Sequence, residues 1–122
     1  MGYYYETEFK FRGSPNEAFE KSKAILDFLG WNYRSNEVDL IVATVPISAF
    51  GWGEKLTISV QKHHMLVSSE SRNPFQVFDN GKNESNVDKF RSIFRRARLP
   101  FNREDFSDEK PRNFIERFLS GR

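Results

Sequence analysis

From residue 3 to residue 11 the side chains alternate between two sides. Tyr5, Thr7, Phe9 and Phe11 fall on one and Tyr4, Glu6, Glu8 and Lys10 on the other, the period-two pattern of a strand with one buried face. The period changes at Ser14-Pro15-Asn16-Glu17. Ser14 is placed to accept from the backbone N–H of Glu17 while Glu17 reaches back, and Pro15 has no N–H to leave unpaired, so a helix is predicted to start here. Ala18, Phe19, Ser22, Ile25, Leu26 and Leu29 form one stripe, and Gly30 is suited to the left-handed conformation just past the last turn. A helix of about 15 residues spans roughly 23 Å, the length of a strand of about seven.

Trp31 and Tyr33 then alternate up to a polar turn at Ser35-Asn36-Glu37, and the run from Leu40 to Val45 is β-branched and apolar on both faces, as in a central strand. Pro46 stops it, and residues 47 to 53 form a loop carrying Phe50 and Trp52. Leu56, Ile58 and Val60 alternate with Lys55, Thr57, Ser59 and Gln61. After the Lys62-His63-His64 turn, Met65, Val67, Ser69 and Ser71 alternate with Leu66, Ser68 and Glu70, giving two more antiparallel strands. Pro74 and Asn80-Gly81 mark a loop, after which Asn83 or Ser85 is expected to cap a helix on Val87, Phe90, Ile93, Phe94 and Ala97. Pro100 ends that helix. Residues 101 to 110 read as a polar, acidic connector, and a short last helix from near Pro111 carries Phe114, Ile115, Phe118 and Leu119 on one side.

The predicted class is α+β, in the order β-α-β-β-β-β-α: an antiparallel sheet with helices on one face and a short C-terminal helix. The pattern leaves open whether the first strand joins beside the last or within the sheet. Residues 1–98 are expected to form one domain, with 99–122 a connector and helix packed on that domain or on a partner. The 122 residues suit a single core. With 13 Phe, 4 Tyr and 2 Trp, that core is expected to be built from rings.

Two segments, Gly51-Trp52-Gly53-Glu54-Lys55-Leu56-Thr57-Ile58-Ser59-Val60 and Gln76-Val77-Phe78-Asp79-Asn80-Gly81-Lys82-Asn83-Glu84-Ser85-Asn86-Val87, resemble a small bacterial α+β domain across roughly residues 2 to 95. That pattern carries an aromatic residue where Asn80 stands, and it does not extend to the stretch from Leu99 to Arg122. The resemblance implies the fold and no activity.

The absence of cysteine removes disulfides, thiolate metal sites and thiol nucleophiles. The start Met1-Gly2-Tyr3 lacks a basic segment leading into an apolar one, and no window holds 18 uninterrupted apolar residues, so a cytoplasmic location without membrane insertion is expected. Candidate chemistry is sparse. His63 and His64 are adjacent, so on an extended segment their rings point apart and do not share a metal. Glu54 and Asp79 bracket the informative stretch and would make an acid/base pair only if their loops converged on a dry pocket; Asp79 bonding to its own turn is the simpler reading. Ser68, Ser69 and Ser71 lack a nucleophile elbow, and Gly51-x-Gly53 precedes a strand rather than opening a helix. No catalytic residue, metal or cofactor is assigned.

Three binding readings remain. The first is a non-enzymatic interaction or assembly module contacting protein, itself or another, with Phe114 and Phe118 on the last helix as contact residues. The second is a small apolar ligand in a cleft between sheet and helix, lined by Phe9, Trp52, Met65, Val67 and Ser69. The third is nucleic acid on Lys89, Arg91, Arg95, Arg96 and Arg98. Net charge is only +2, but residues 1–71 hold 7 basic against 9 acidic groups and residues 72–122 hold 12 against 8, so the basic excess is C-terminal. Nearby acids, and a helix end that favours cations in any case, make a solvated helix face the simpler account of those arginines.

Overall fold

A computed structural model describes residues 4–46, 53–72 and 81–106. Trp52, Asp79, Phe114 and Phe118 lie outside the described residues. Five strands form one antiparallel sheet: β1 (Tyr4–Lys10), β2 (Asn32–Ser35), β3 (Leu40–Val45), β4 (Glu54–Val60) and β5 (His64–Ser71), in the spatial order β1-β5-β4-β3-β2. Over the described residues the order β-α-β-β-β-β-α is the predicted one; the short helix expected from near Pro111 lies outside them. β1 joins at the edge beside β5, with Phe9 opposite Met65 and Tyr5 opposite Ser69, which settles the alternative the sequence left open. β2 to β5 form a meander, so β1 and β2 end on opposite edges.

Helix α1 (Pro15–Leu29) carries the chain from one edge to the other. Its start follows the expected chemistry. Ser14 Oγ accepts from Glu17 N at 3.1 Å while Ser14 N donates to Glu17 Oε1 at 2.9 Å, and Gly30 closes the helix at φ +77°, where a side chain would be strained. Helix α2 (Lys82–Arg96) begins differently: Gly81, at φ +76°, occupies the cap position and offers no side-chain bond. Asn83 and Ser85 therefore lie inside the first turn, and Asn83 is fully buried instead of capping.

Both helices cover the same face of the sheet, α1 over β2 and β4 and α2 over β1 and β5, and they touch each other. The buried apolar side chains come from one parity of β1, β3, β4 and β5 (Phe9; Ile41, Ala43, Val45; Leu56, Ile58, Val60; Met65, Val67) and from the helical stripes, including Ile25, Leu26, Val87, Phe90 and Ile93. The core is mostly aliphatic rather than built from rings: seven of its 22 buried apolar residues among the described ones are aromatic, and of these Phe94 receives Phe9 edge-on at 5.7 Å, with half-buried Phe11 at 6.4 Å. Ser22 is buried within the α1 stripe because its hydroxyl donates back to Ala18 O at 2.8 Å.

The run from Leu40 to Val45 is interior but not central. It lies between β4 and β2, and among the described residues only its inner side is covered: Ile41, Ala43 and Val45 are buried while Leu40 remains 40% exposed. The β2–β3 hairpin is closed by Asn36, whose Oδ1 accepts from Val38, Asp39 and Leu40 N–H at 2.8–3.0 Å. The first part of the acidic connector is ordered on the domain. A 3-10 turn (Arg103–Phe106) buries Phe106, which stacks on Phe101 at 5.4 Å and meets Phe28 at 6.3 Å.

Candidate functional site

Ser22 on α1 apart, the buried polar side chains among the described residues gather at one place, under the first turns of α2. On β4 the alternation that buries Leu56, Ile58 and Val60 also buries Glu54; on β5 the parity of Met65 and Val67 brings in Ser69 and Ser71. Glu54 stands opposite Ser71, and Leu56 opposite Ser69. From above, Asn83 and Asn86, three residues apart on α2 and in phase with Val87 and Phe90, complete the set.

One chain of hydrogen bonds joins the five residues. Asn86 Nδ2 donates to Glu54 Oε1 at 2.9 Å and to Ser69 Oγ at 3.2 Å. Ser69 Oγ donates to Asn83 Oδ1 at 2.7 Å, and Asn83 Nδ2 donates to Ser71 Oγ at 3.2 Å. Glu54 Oε2 is buried without a partner among the described residues. Such networks fix one arrangement of the elements they join, because any other leaves buried polar atoms unpaired. Glu54, Ser69 and Asn83 are fully buried and Asn86 is 2% exposed, so the network's consequence is the register of α2 on β4 and β5.

The sequence offers Ser69 as the lining of a cleft and Asn83 as a cap; the structure binds both into this network. The parity of the strands already pointed Glu54, Ser69 and Ser71 inward. The Asn83–Asn86 spacing was the missed signal, a pair of amides on the buried side of a helix.

His63 and His64 sit at the far end of β4 from Glu54. His64 opens β5 and its Nε2 lies 2.8 Å from Glu8 on β1, on the outer face. Among the described residues no three His, Asp or Glu side chains gather as metal ligands. Of the residues read as lining a cleft, Phe9, Met65, Val67 and Ser69 share the inner face of β1 and β5 and are 5% exposed or less.

The arginines of α2 face outward and bear on neighbouring rings and acids. Arg95 lies 6.0 Å from the Phe9 ring, Arg96 5.1 Å from Phe106, and Arg91 3.9 Å from Asp88. An open groove of about 360 Å³ runs between Asp88, Arg91, Ser92, Arg95 and Arg96. Lys21 reaches across from α1: its Nζ donates to Ala97 O at 2.8 Å and lies 4.2 Å from the Phe94 ring. Burial holds its pKa below the ordinary lysine value, with Glu17 acting weakly in the other direction.

The opposite face of the sheet is covered by no element among the described residues. Its middle rows read Glu6, Ser68, Thr57, Val42, Arg34 and Glu8, Leu66, Ser59, Leu40 from the β1 side to the β2 side. Leu66 and Val42 are half-buried, Leu40 is 40% exposed, and Val38 in the adjoining turn is 70% exposed. Lys55 and Glu70 pair across β4 and β5 at 3.6 Å, and the Tyr4 hydroxyl donates to Glu6. No helix among the described residues is long and apolar enough to cross a membrane.

Comparison with protein-family models, with curated proteins and with solved structures finds no match.

Proposed function

We propose that this chain is a non-enzymatic interaction module that assembles through protein contacts made by the face of its sheet opposite α1 and α2. The observation that carries this reading is the composition of β3. Its outer side presents Leu40 and Val42, residues that an antiparallel strand normally replaces by polar ones when that side faces water. Leu66 stands two strands away in the row of Leu40, with Ser59 between them. The middle of the face is thus apolar or small and neutral, and charges lie around it: Glu6 and Glu8 on β1, Lys55 and Glu70 at one end, Arg34 on β2. An apolar centre depleted of charge within a polar rim is the arrangement of protein–protein interfaces.

The test places a photo-crosslinking amino acid at Thr57, the middle of the face, and at Glu20, an exposed position on α1, in the full chain expressed in cells. Protein adducts whose cross-linked peptides map to Thr57 and not to Glu20 are the expected result. Equal labelling from both positions, or none from Thr57, refutes the proposal.

A further inference from the structure

We infer that the occupant of this face is a second copy of the same chain, docked about a two-fold axis that runs parallel to the strands and passes over β4. This rests on the interaction reading above and adds partner and geometry. The strand order puts β4 in the middle, β5 and β3 on either side of it, and β1 and β2 at the edges. Turning one copy about an axis along β4 sets β1 over the partner's β2 and β5 over the partner's β3, while each row of residues meets the same row.

The side chains fit that operation. Glu6 and Arg34 occupy the two ends of one row, Glu6-Ser68-Thr57-Val42-Arg34, so the axis brings each Glu6 to the other copy's Arg34, twice. Arg34 makes no ion pair among the described residues, and Glu6 has only the Tyr4 hydroxyl. In the next row Leu66 and Leu40 lie either side of Ser59 and meet each other, again twice. On the axis itself fall Thr57 and Ser59, small enough to let the two layers approach. Lys55 also falls there, and its charge is balanced within its own copy by Glu70 at 3.6 Å. The alternative two-fold, perpendicular to the strands, lays β1 on β1; with its axis between the two middle rows it sets Glu6 against the other copy's Glu8, which like charges oppose. Isologous pairing of this kind requires a self-complementary surface, and the opposed Glu6 and Arg34 edges provide one.

The size of the face sets the strength. Five strands at about 4.8 Å and three to four rows at about 6.7 Å make roughly 500 Å² per copy. A total near 1,000 Å² lies at the weak end of specific interfaces, so the dimer should dissociate in the range of tens to hundreds of micromolar. Sheet twist sets the two layers at about 30° to one another, which favours contacts in the middle rows over those at the corners.

The experiment is sedimentation equilibrium of the full chain from about 10 µM to about 1 mM, with circular dichroism to check folding. The wild type is expected to rise from the 14.4 kDa monomer towards twice that mass. Glu6→Arg and Arg34→Glu should each weaken association by about tenfold or more, since each sets like charges together, and the double variant should restore it. Leu66→Glu should hold the chain monomeric throughout. A wild type that stays monomeric across the range overturns the inference, as does association that ignores both charge reversals, or a double variant no better than the singles. If the wild type is monomeric while Thr57 still cross-links a different protein, only the self-pairing fails; if Thr57 labels nothing, the interaction reading fails with it.

Discussion

Asn86 donates to Glu54 across 32 positions of sequence, at 2.9 Å in a fully buried setting, and so ties α2 to the first residue of β4. The same amide also donates to Ser69, so one side chain on the helix reads two adjacent strands at once. A helix lying on an otherwise apolar sheet can slide or rotate by a turn at modest cost; one whose amides must find these acceptors has a single position.

The Asn86–Glu54 contact should therefore be intolerant of a second acid. Asn86→Ala is expected to lose about 2 kcal/mol, the usual scale for leaving buried partners unpaired. Asn86→Asp should lose more, because it faces Glu54 with a group that accepts where donation is needed. The excess of Asp over Ala should shrink in acid, when the introduced carboxyl takes a proton and can donate again. Urea unfolding of both variants at neutral and acidic pH measures this, and an Asp variant no worse than Ala at neutral pH contradicts it.

The start of α1 makes a smaller and more local prediction. Ser14→Ala removes the acceptor for Glu17 N and should cost about 1 kcal/mol. Adding Glu17→Ala should cost less than the two single changes together, since each residue holds the other in place. Strict additivity in a double-mutant cycle would show that the two bonds act independently.

Phe106 tests whether the connector is part of the folded unit. It is 4% exposed, stacked on Phe101 and set against Phe28, with the Arg96 guanidinium 5.1 Å away. Phe106→Ala should lower stability by about 3 kcal/mol, as for other buried rings. A change below about 0.5 kcal/mol, the scale of surface substitutions, would mean that residues 101–106 add nothing to the fold.

Lys21 gives a pH dependence whose sign follows from its environment. Burial lowers its folded-state pKa below 10.5, so between that lowered value and 10.5 the unfolded chain keeps a proton that the folded chain has released. Stability contributed by this group therefore rises with pH through the window and is level below it. Tyr33, raised mainly by burial, acts in the opposite direction above pH 10. The informative quantity is thus the difference between wild type and Lys21→Met, which should grow in favour of wild type as pH climbs towards 10.5. A difference that is flat with pH removes the assigned effect.

Much of the architecture was readable along the chain because it is set by local rules. The capping box at Ser14 and Glu17, the left-handed Gly30 and the strand parities each depend on neighbours within a few residues. The readings that changed depend on distant partners. Asn83 looks like a cap because Asn commonly caps helices, yet Gly81 takes that position and Asn83 turns inward to Ser69 and Ser71. Likewise the Leu40 to Val45 run is apolar on both faces, as in a central strand, but α1 and α2 lie on its inner side and Leu40 is left exposed.

The order of residues alone determined the five strands, the two long helices and the inward parity of the strands, since period, caps and turns are short-range properties. Only the tertiary structure decided that β1 closes the edge beside β5 and that Glu54, Ser69, Ser71, Asn83 and Asn86 meet under α2. It also decided that Glu6 and Arg34 end one row on opposite edges of the sheet's outer face. The reason is that strand order and helix placement are fixed by contacts between segments tens of residues apart, which no local pattern records.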